Sequence, residues 1–163
     1  MVTTPIISTK EIWKILEQVT DPEVPVLTIT DLGIVRDIKL NGDEVEVVIT
    51  PTYTGCPAMD MIAMNIKLAL IANDYSKIRI TSVLSPAWTT DWMSEAGKTK
   101  LKEYGIAPPQ LIKRPGEIPG HLIECPQCNS SNTKLISEFG STACKSLYQC
   151  NDCKEPFDHF KCH

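Results

Sequence analysis

The chain has 163 residues, 42% of them hydrophobic and 22% charged, the composition of an ordinary globular protein rather than a disordered one. A formal net charge of −4 and a pI near 5.4 argue against nonspecific nucleic-acid binding, and no apolar run approaches the ~18 residues that a membrane span needs. No basic stretch followed by an apolar core opens the sequence, so a secretory signal is not expected and the reading is cytoplasmic.

Ser8-Thr-Lys-Glu11 fits a capping box, and Ile12, Ile15, Leu16 and Val19 follow at helical spacing. Asp21-Pro22 is predicted to end this helix, because the residue before proline avoids the helical region. Ile34, Ile38 and Leu40 suggest a strand and Asn41-Gly-Asp43 a hairpin turn. Val45, Val47 and Ile49 alternate with Glu44 and Glu46, the period of a half-buried strand. Pro57 to Ala72 is apolar on nearly every side, which predicts a well-buried helix with Pro57 in its first turn. Ile78 to Leu84 reads as a further strand, and Asp91 to Tyr104 holds a last helix ended by Gly105. This order, α-β-β-α-β-α, predicts an α+β domain: a small mixed or antiparallel sheet with helices on one face.

Four of the 12 prolines fall between Gly105 and Gly120. Proline fixes φ and removes a donor, so residues 108–120 are predicted to be an extended linker. It separates a first domain, 1–107, from a small β module, 121–163. Acidic residues outnumber basic ones 14 to 10 up to Tyr104, and the two balance at six each beyond it. A module as short as the second needs a metal or a disulfide to fold.

Six of the seven cysteines lie beyond residue 124. In a reducing compartment such clustering points to metal or redox chemistry. Cys125-Pro-Gln-Cys128 and Cys150-Asn-Asp-Cys153 are separated by 21 residues, a spacing that can place four thiolates around one structural Zn²⁺ per chain. The same thiolates suit an iron–sulfur site. Between them, Thr133 to Phe139 and Ser146 to Gln149 fit two short strands, with Asn129 to Asn132 as a turn. Cys144 and Cys162 are left over; they are either inert thiols or, with His163, a second metal or redox site. His121 and His159 read as surface or packing residues, since four thiolates already close a zinc shell.

Thr50-Pro-Thr-Tyr-Thr-Gly-Cys-Pro57 leaves a strand and enters a helix. Cys56 is thereby predicted to lie beside unpaired backbone N–H groups at the positive end of the helix dipole, which favours the thiolate. Thr52 and Thr54 are candidate hydroxyl donors to the sulfur or to a bound anion. Asp21 and Glu23 are candidate acids beside it, or else caps and turn formers. Cys56 itself is alternatively an inert buried thiol. Residues 1–104 contain no histidine, which excludes a Cys/His nucleophile pair within them. One cysteine cannot close a metal site, so iron or a cluster held there would be shared and transient. Trp88 and Trp92 read as core or rim packing.

Asp21-Pro-Glu, Asp31-Leu-Gly-Ile-Val, Pro51-Thr-Tyr-Thr-Gly-Cys-Pro and Trp92-Met-Ser resemble the iron–sulfur assembly domain family over about residues 8–105. With Phe139-Gly-Ser-Thr-Ala-Cys-Lys145 and the stretch from Cys153 to Lys161, nearly the whole chain resembles the accessory-subunit family of the phenylacetyl-CoA epoxidase system. The resemblance implies a non-catalytic maturation factor that works with the oxygenase and reductase subunits. Cys56 would be its functional thiol, with Asp21 beside it, and iron or an iron–sulfur cluster its transient cargo. The chain lacks a Glu-x-x-His pair for a di-iron site and a Gly-x-Gly-x-x-Gly loop for a dinucleotide. A structural adaptor that moves no metal is the alternative, and a thiol enzyme a more distant one. Homodimerisation stays open.

Overall fold

The computed structural model describes residues 8–110 and 123–161. Most of the predicted linker, His121, Cys162 and His163 lie outside the described residues. The chain divides into two compact units at the junction of Trp88 and Thr89.

In the first unit, helix α1 spans Thr9–Leu16 and is capped by Ser8. The Ser8 hydroxyl accepts from the N–H of Lys10 rather than that of Glu11. The helix stops well before Asp21-Pro22, and an irregular stretch held by Asp21 N–H to Leu27 O and Ile29 N–H to Val19 O leads to the sheet. Strands β1 (Val35–Asn41) and β2 (Glu44–Ile49) form an antiparallel hairpin. Its tight turn places Gly42 at φ +65°, a conformation that glycine adopts without steric cost. Helix α2 (Ala58–Ile71) then crosses over to β3 (Lys77–Ser82), which pairs parallel with β2. A helical crossover is what permits a parallel neighbour. The sheet order is β1-β2-β3, a mixed sheet as the sequence predicted.

Val45, Val47 and Ile49 are buried, as are Ile12 and Leu16 of α1 and Ile62, Ile66 and Leu70 of α2. The other face of the sheet is charged and solvated, with Arg79 paired to Glu44 and the Thr81 hydroxyl donating to Glu46. Trp88 is core packing: its indole N–H donates to Leu32 O at 2.8 Å. Helix α2 departs from expectation. It buries one stripe and leaves Met61, Met64, Leu68 and Ile71 each more than half exposed. A helix laid on one face of a sheet can give it only one side.

The second unit opens with a single 3-10 turn, Thr90–Trp92, and helix α3, Glu95–Glu103. The Ser94 hydroxyl caps α3 by accepting from Gly97 N–H at 2.9 Å, and Gly105, at φ +90°, ends it. Four strands follow: β4 (Ile106–Ala107), β5 (Thr133–Ser137), β6 (Lys145–Cys150) and β7 (Pro156–Phe160), in the order β4-β7-β6-β5. The division of the chain precedes the sequence-based boundary at 107 because Ile106 and Ala107 pair with Asp158 and His159. Ala107 also joins Ile123, Cys125, Tyr148, Cys150 and Phe157 in the core of this unit. Strand β7 was not expected, since Pro156 and Asp158 interrupt its apolar signal.

Candidate metal and thiol sites

The two Cys-x-x-Cys segments fold into matching knuckles. In each, the first cysteine's N–H donates to the carbonyl five residues on, Cys125 to Ser130 and Cys150 to Glu155, both at 2.9 Å. In each, the residue after the second cysteine is left-handed, Asn129 at φ 58° and Lys154 at φ 68°. In each, a backbone N–H reaches the second sulfur, Ser130 to Cys128 and Glu155 to Cys153. Cys125 and Cys150 are buried, whereas Cys128 and Cys153 reach the surface.

The four Sγ atoms lie within 4.8 Å of one another. Cys125 and Cys153 are 3.7 Å apart and Cys128 and Cys150 3.6 Å. Zn–S bonds of ~2.3 Å in a tetrahedron require S···S edges of about 3.8 Å. The donor set therefore fits a tetrahedral thiolate metal, with Cys125, Cys128, Cys150 and Cys153 as its ligands. The N–H of Cys153, aided by that of Asp152 and the Cys128 and Cys153 thiols, lowers the Cys150 thiol to about 7. Burial and the neighbouring sulfurs outweigh the Glu155 N–H and push Cys153 up to about 12. One sulfur is thus about half ionised at neutral pH, and a metal would displace the protons still held.

A polar clasp joins the knuckles, and sequence reasoning missed it. Asp152 accepts from the Ser130 hydroxyl and from Asn132 Nδ2 at 2.8 Å. Asn151 Nδ2 donates to Asn132 Oδ1 at 2.9 Å. The stretch 129–132 was legible only as a turn, because its partners lie about 20 residues away.

Cys56 stands two residues before α2 and is half-buried. The Ala58 N–H and the Tyr53 hydroxyl bond to its sulfur and favour the thiolate. Burial outweighs them and raises the thiol's pKa, and the charges of Glu23 and Asp21 raise it further. The expected thiolate is therefore corrected: the helix start does act on the sulfur, but desolvation and two carboxylates win. Asp21 and Glu23 do lie close enough to act on Cys56. Asp21 is also a turn former, its Oδ1 accepting from the N–H groups of Glu23 and Val24 at 2.8 Å. Thr52 is half-buried and Thr54 exposed, and the hydroxyl on the sulfur is that of Tyr53, a residue the sequence did not single out. Cys144 is buried, 3.0 Å from the Thr142 hydroxyl. His159 is packing: its ring meets Tyr148 edge-on, and its Nδ1 is 3.3 Å from the Ser146 hydroxyl.

An α+β unit carrying a loop thiol, followed by a four-cysteine ribbon, makes a two-module protein, and its relatives place it in the iron–sulfur assembly class. Residues 9–76 match the iron–sulfur cluster assembly protein model and residues 118–161 the PaaD zinc beta ribbon domain model. An Escherichia coli K12 protein, provisionally named as a subunit of 1,2-phenylacetyl-CoA epoxidase, is 49% identical over 93% of this chain and 92% of its own. The chain belongs to the family of that epoxidase component. The Fe-S protein maturation auxiliary factor YitW of Bacillus subtilis is 38% identical over 53% of this chain and 85% of its own. The crystal structure of a domain of unknown function, DUF59, from Bacillus anthracis matches 56% of this chain and 89% of its own, at 29% identity and a TM-score of 0.53. No helix among the described residues is long and apolar enough to cross a membrane.

Proposed function

We propose that this chain is a non-catalytic maturation factor for a phenylacetyl-CoA epoxidase complex, assisting the insertion or repair of iron or an iron–sulfur cluster. The observation that carries the reading is the placement of Cys56. It is a partly exposed thiol at the start of a helix, with a hydroxyl, a backbone N–H and two carboxylates within reach of its sulfur. Burial and the two carboxylates hold the thiol's pKa up against the hydroxyl and the N–H, and the oxygen neighbours suit brief holding better than a permanent site. Zn²⁺ on the four ribbon cysteines would hold the second unit folded and take no part in transfer. The names of the relatives, an epoxidase component and an Fe-S maturation factor, support the same role.

The test is to produce the epoxidase reductase and oxygenase subunits alongside wild-type chain or Cys56→Ser. The variant is expected to fold and keep its ribbon metal while the client subunits emerge short of cluster or iron. Fully loaded clients in the variant background would overturn the reading. Stable stoichiometric co-elution with the oxygenase, without any effect on its metal content, would instead establish an adaptor.

A further inference from the structure

Helix α2 carries more apolar surface than its own sheet uses. Met61, Met64, Leu68 and Ile71 are 54–57% exposed. At spacings of three and four they form one stripe ~15 Å long, on the side opposite the buried Ile62, Ile66 and Leu70. Single exposed hydrophobes are ordinary, but an aligned row marks a contact surface.

We propose that this stripe docks a client protein presenting an apolar groove with a basic rim, and that docking there delivers the client to Cys56. The inference rests on the maturation reading and states where the client sits. Size argues for a transient partner: four side chains fall far short of the ~20–30 residues a side that stable interfaces use, so a permanent homodimer does not stand on this stripe alone. Position ties it to the thiol. Helix α2 begins two residues beyond Cys56, and Met61 lies one turn further on. Charge sets the partner's rim: exposed Asp60 flanks the start of the stripe, part-exposed Glu23 lies near Cys56, and, against exposed Lys67 beside the stripe, acidic residues outnumber basic ones 11 to 7 up to Trp88. Met61 and Met64 are unbranched and polarizable, able to repack against more than one groove.

The experiment titrates the purified full chain against purified epoxidase reductase and oxygenase subunits by calorimetry. Wild type is expected to bind one of them, more weakly as salt rises. The double variant Met64→Gln, Leu68→Gln is expected to lose at least about tenfold in affinity while keeping wild-type circular dichroism and ribbon metal, since glutamine is a good helix former. Ile71→Lys serves as a second variant should the double one misfold. Stripe variants that bind within twofold of wild type would overturn the docking face and leave the maturation reading standing. A wild-type chain that binds neither client would overturn both. A wild-type dimer in sedimentation velocity that the variants lose would assign the stripe to a second copy and overturn the proposal.

Discussion

Gly140 occupies a crowded place, where a side chain would have to push the Asp158 carboxylate aside. A Cβ there would fall 2.7 Å from Asp158 Oδ1 and 3.4 Å from Lys145. Asp158 in turn pairs with buried Lys145 at 3.9 Å and faces the Ser141 hydroxyl at 3.4 Å. The Phe-Gly-Ser-Thr-Ala-Cys-Lys stretch therefore wraps a loop around a sheltered ion pair, a reason for its composition that the sequence did not expose. His159 shows a second kind of burial. Its Nε2 has no hydrogen-bond partner among the described residues, and desolvation, with Lys161 nearby, lowers its pKa from 6.5 to about 4. An unfolded chain takes up a proton near pH 6.5 that the folded one refuses until about pH 4. This contribution to stability is therefore complete above 6.5 and is lost as pH falls through that window, by about 1.4 kcal/mol per unit. Denaturant midpoints measured from pH 7 to 4 with metal in excess are expected to fall for wild type and to fall less steeply for His159→Gln. Equal slopes would show that His159 is not the group responsible.

Among the elements, those with a strong local period were legible: the hairpin of β1 and β2, the helix after Cys56 and the strand that follows it. The exposed half of α2 was not, because an apolar helix does not declare which of its faces its own sheet will cover. Strand β7 was hidden by its proline and acid, and β4 is only two residues long. The meeting of the knuckles' four sulfurs was legible in their spacing, yet the clasp between them was not, being a matter of tertiary pairing. Asp152 owes its lowered pKa to the Ser130 and Asn132 bonds, so it is ionised well below neutral pH and its charge holds the clasp in place. Asp152→Ala leaves every thiol intact but cuts that clasp. It is expected to speed metal release to a competing chelator by roughly tenfold, the scale typical of losing support around a metal site. Release at the wild-type rate would reduce the clasp to surface decoration.

At the scale of the whole molecule, the α+β architecture and its ribbon were readable because each depends on short-range signals: periodicity in one, cysteine spacing in the other. Where the chain divides was less readable, since Ile106 and Ala107 join strand β7, some 50 residues away. Stripping the metal with a strong chelator is expected to remove hydrogen-exchange protection from β5, β6 and β7 and also from Ile106 and Ala107, while β1 to β3 stay protected. Loss in both units together would show that they do not fold independently. Retained protection at Ile106 and Ala107 would return the boundary to residue 107.

The ordering of the ribbon sulfurs has a last consequence. With one thiol titrating near 7 and another held to about 12, loading the knuckles is an acid-releasing reaction. Tightness of the ribbon is then set partly by the acidity around it, and mild acidification loosens it without any competing ligand.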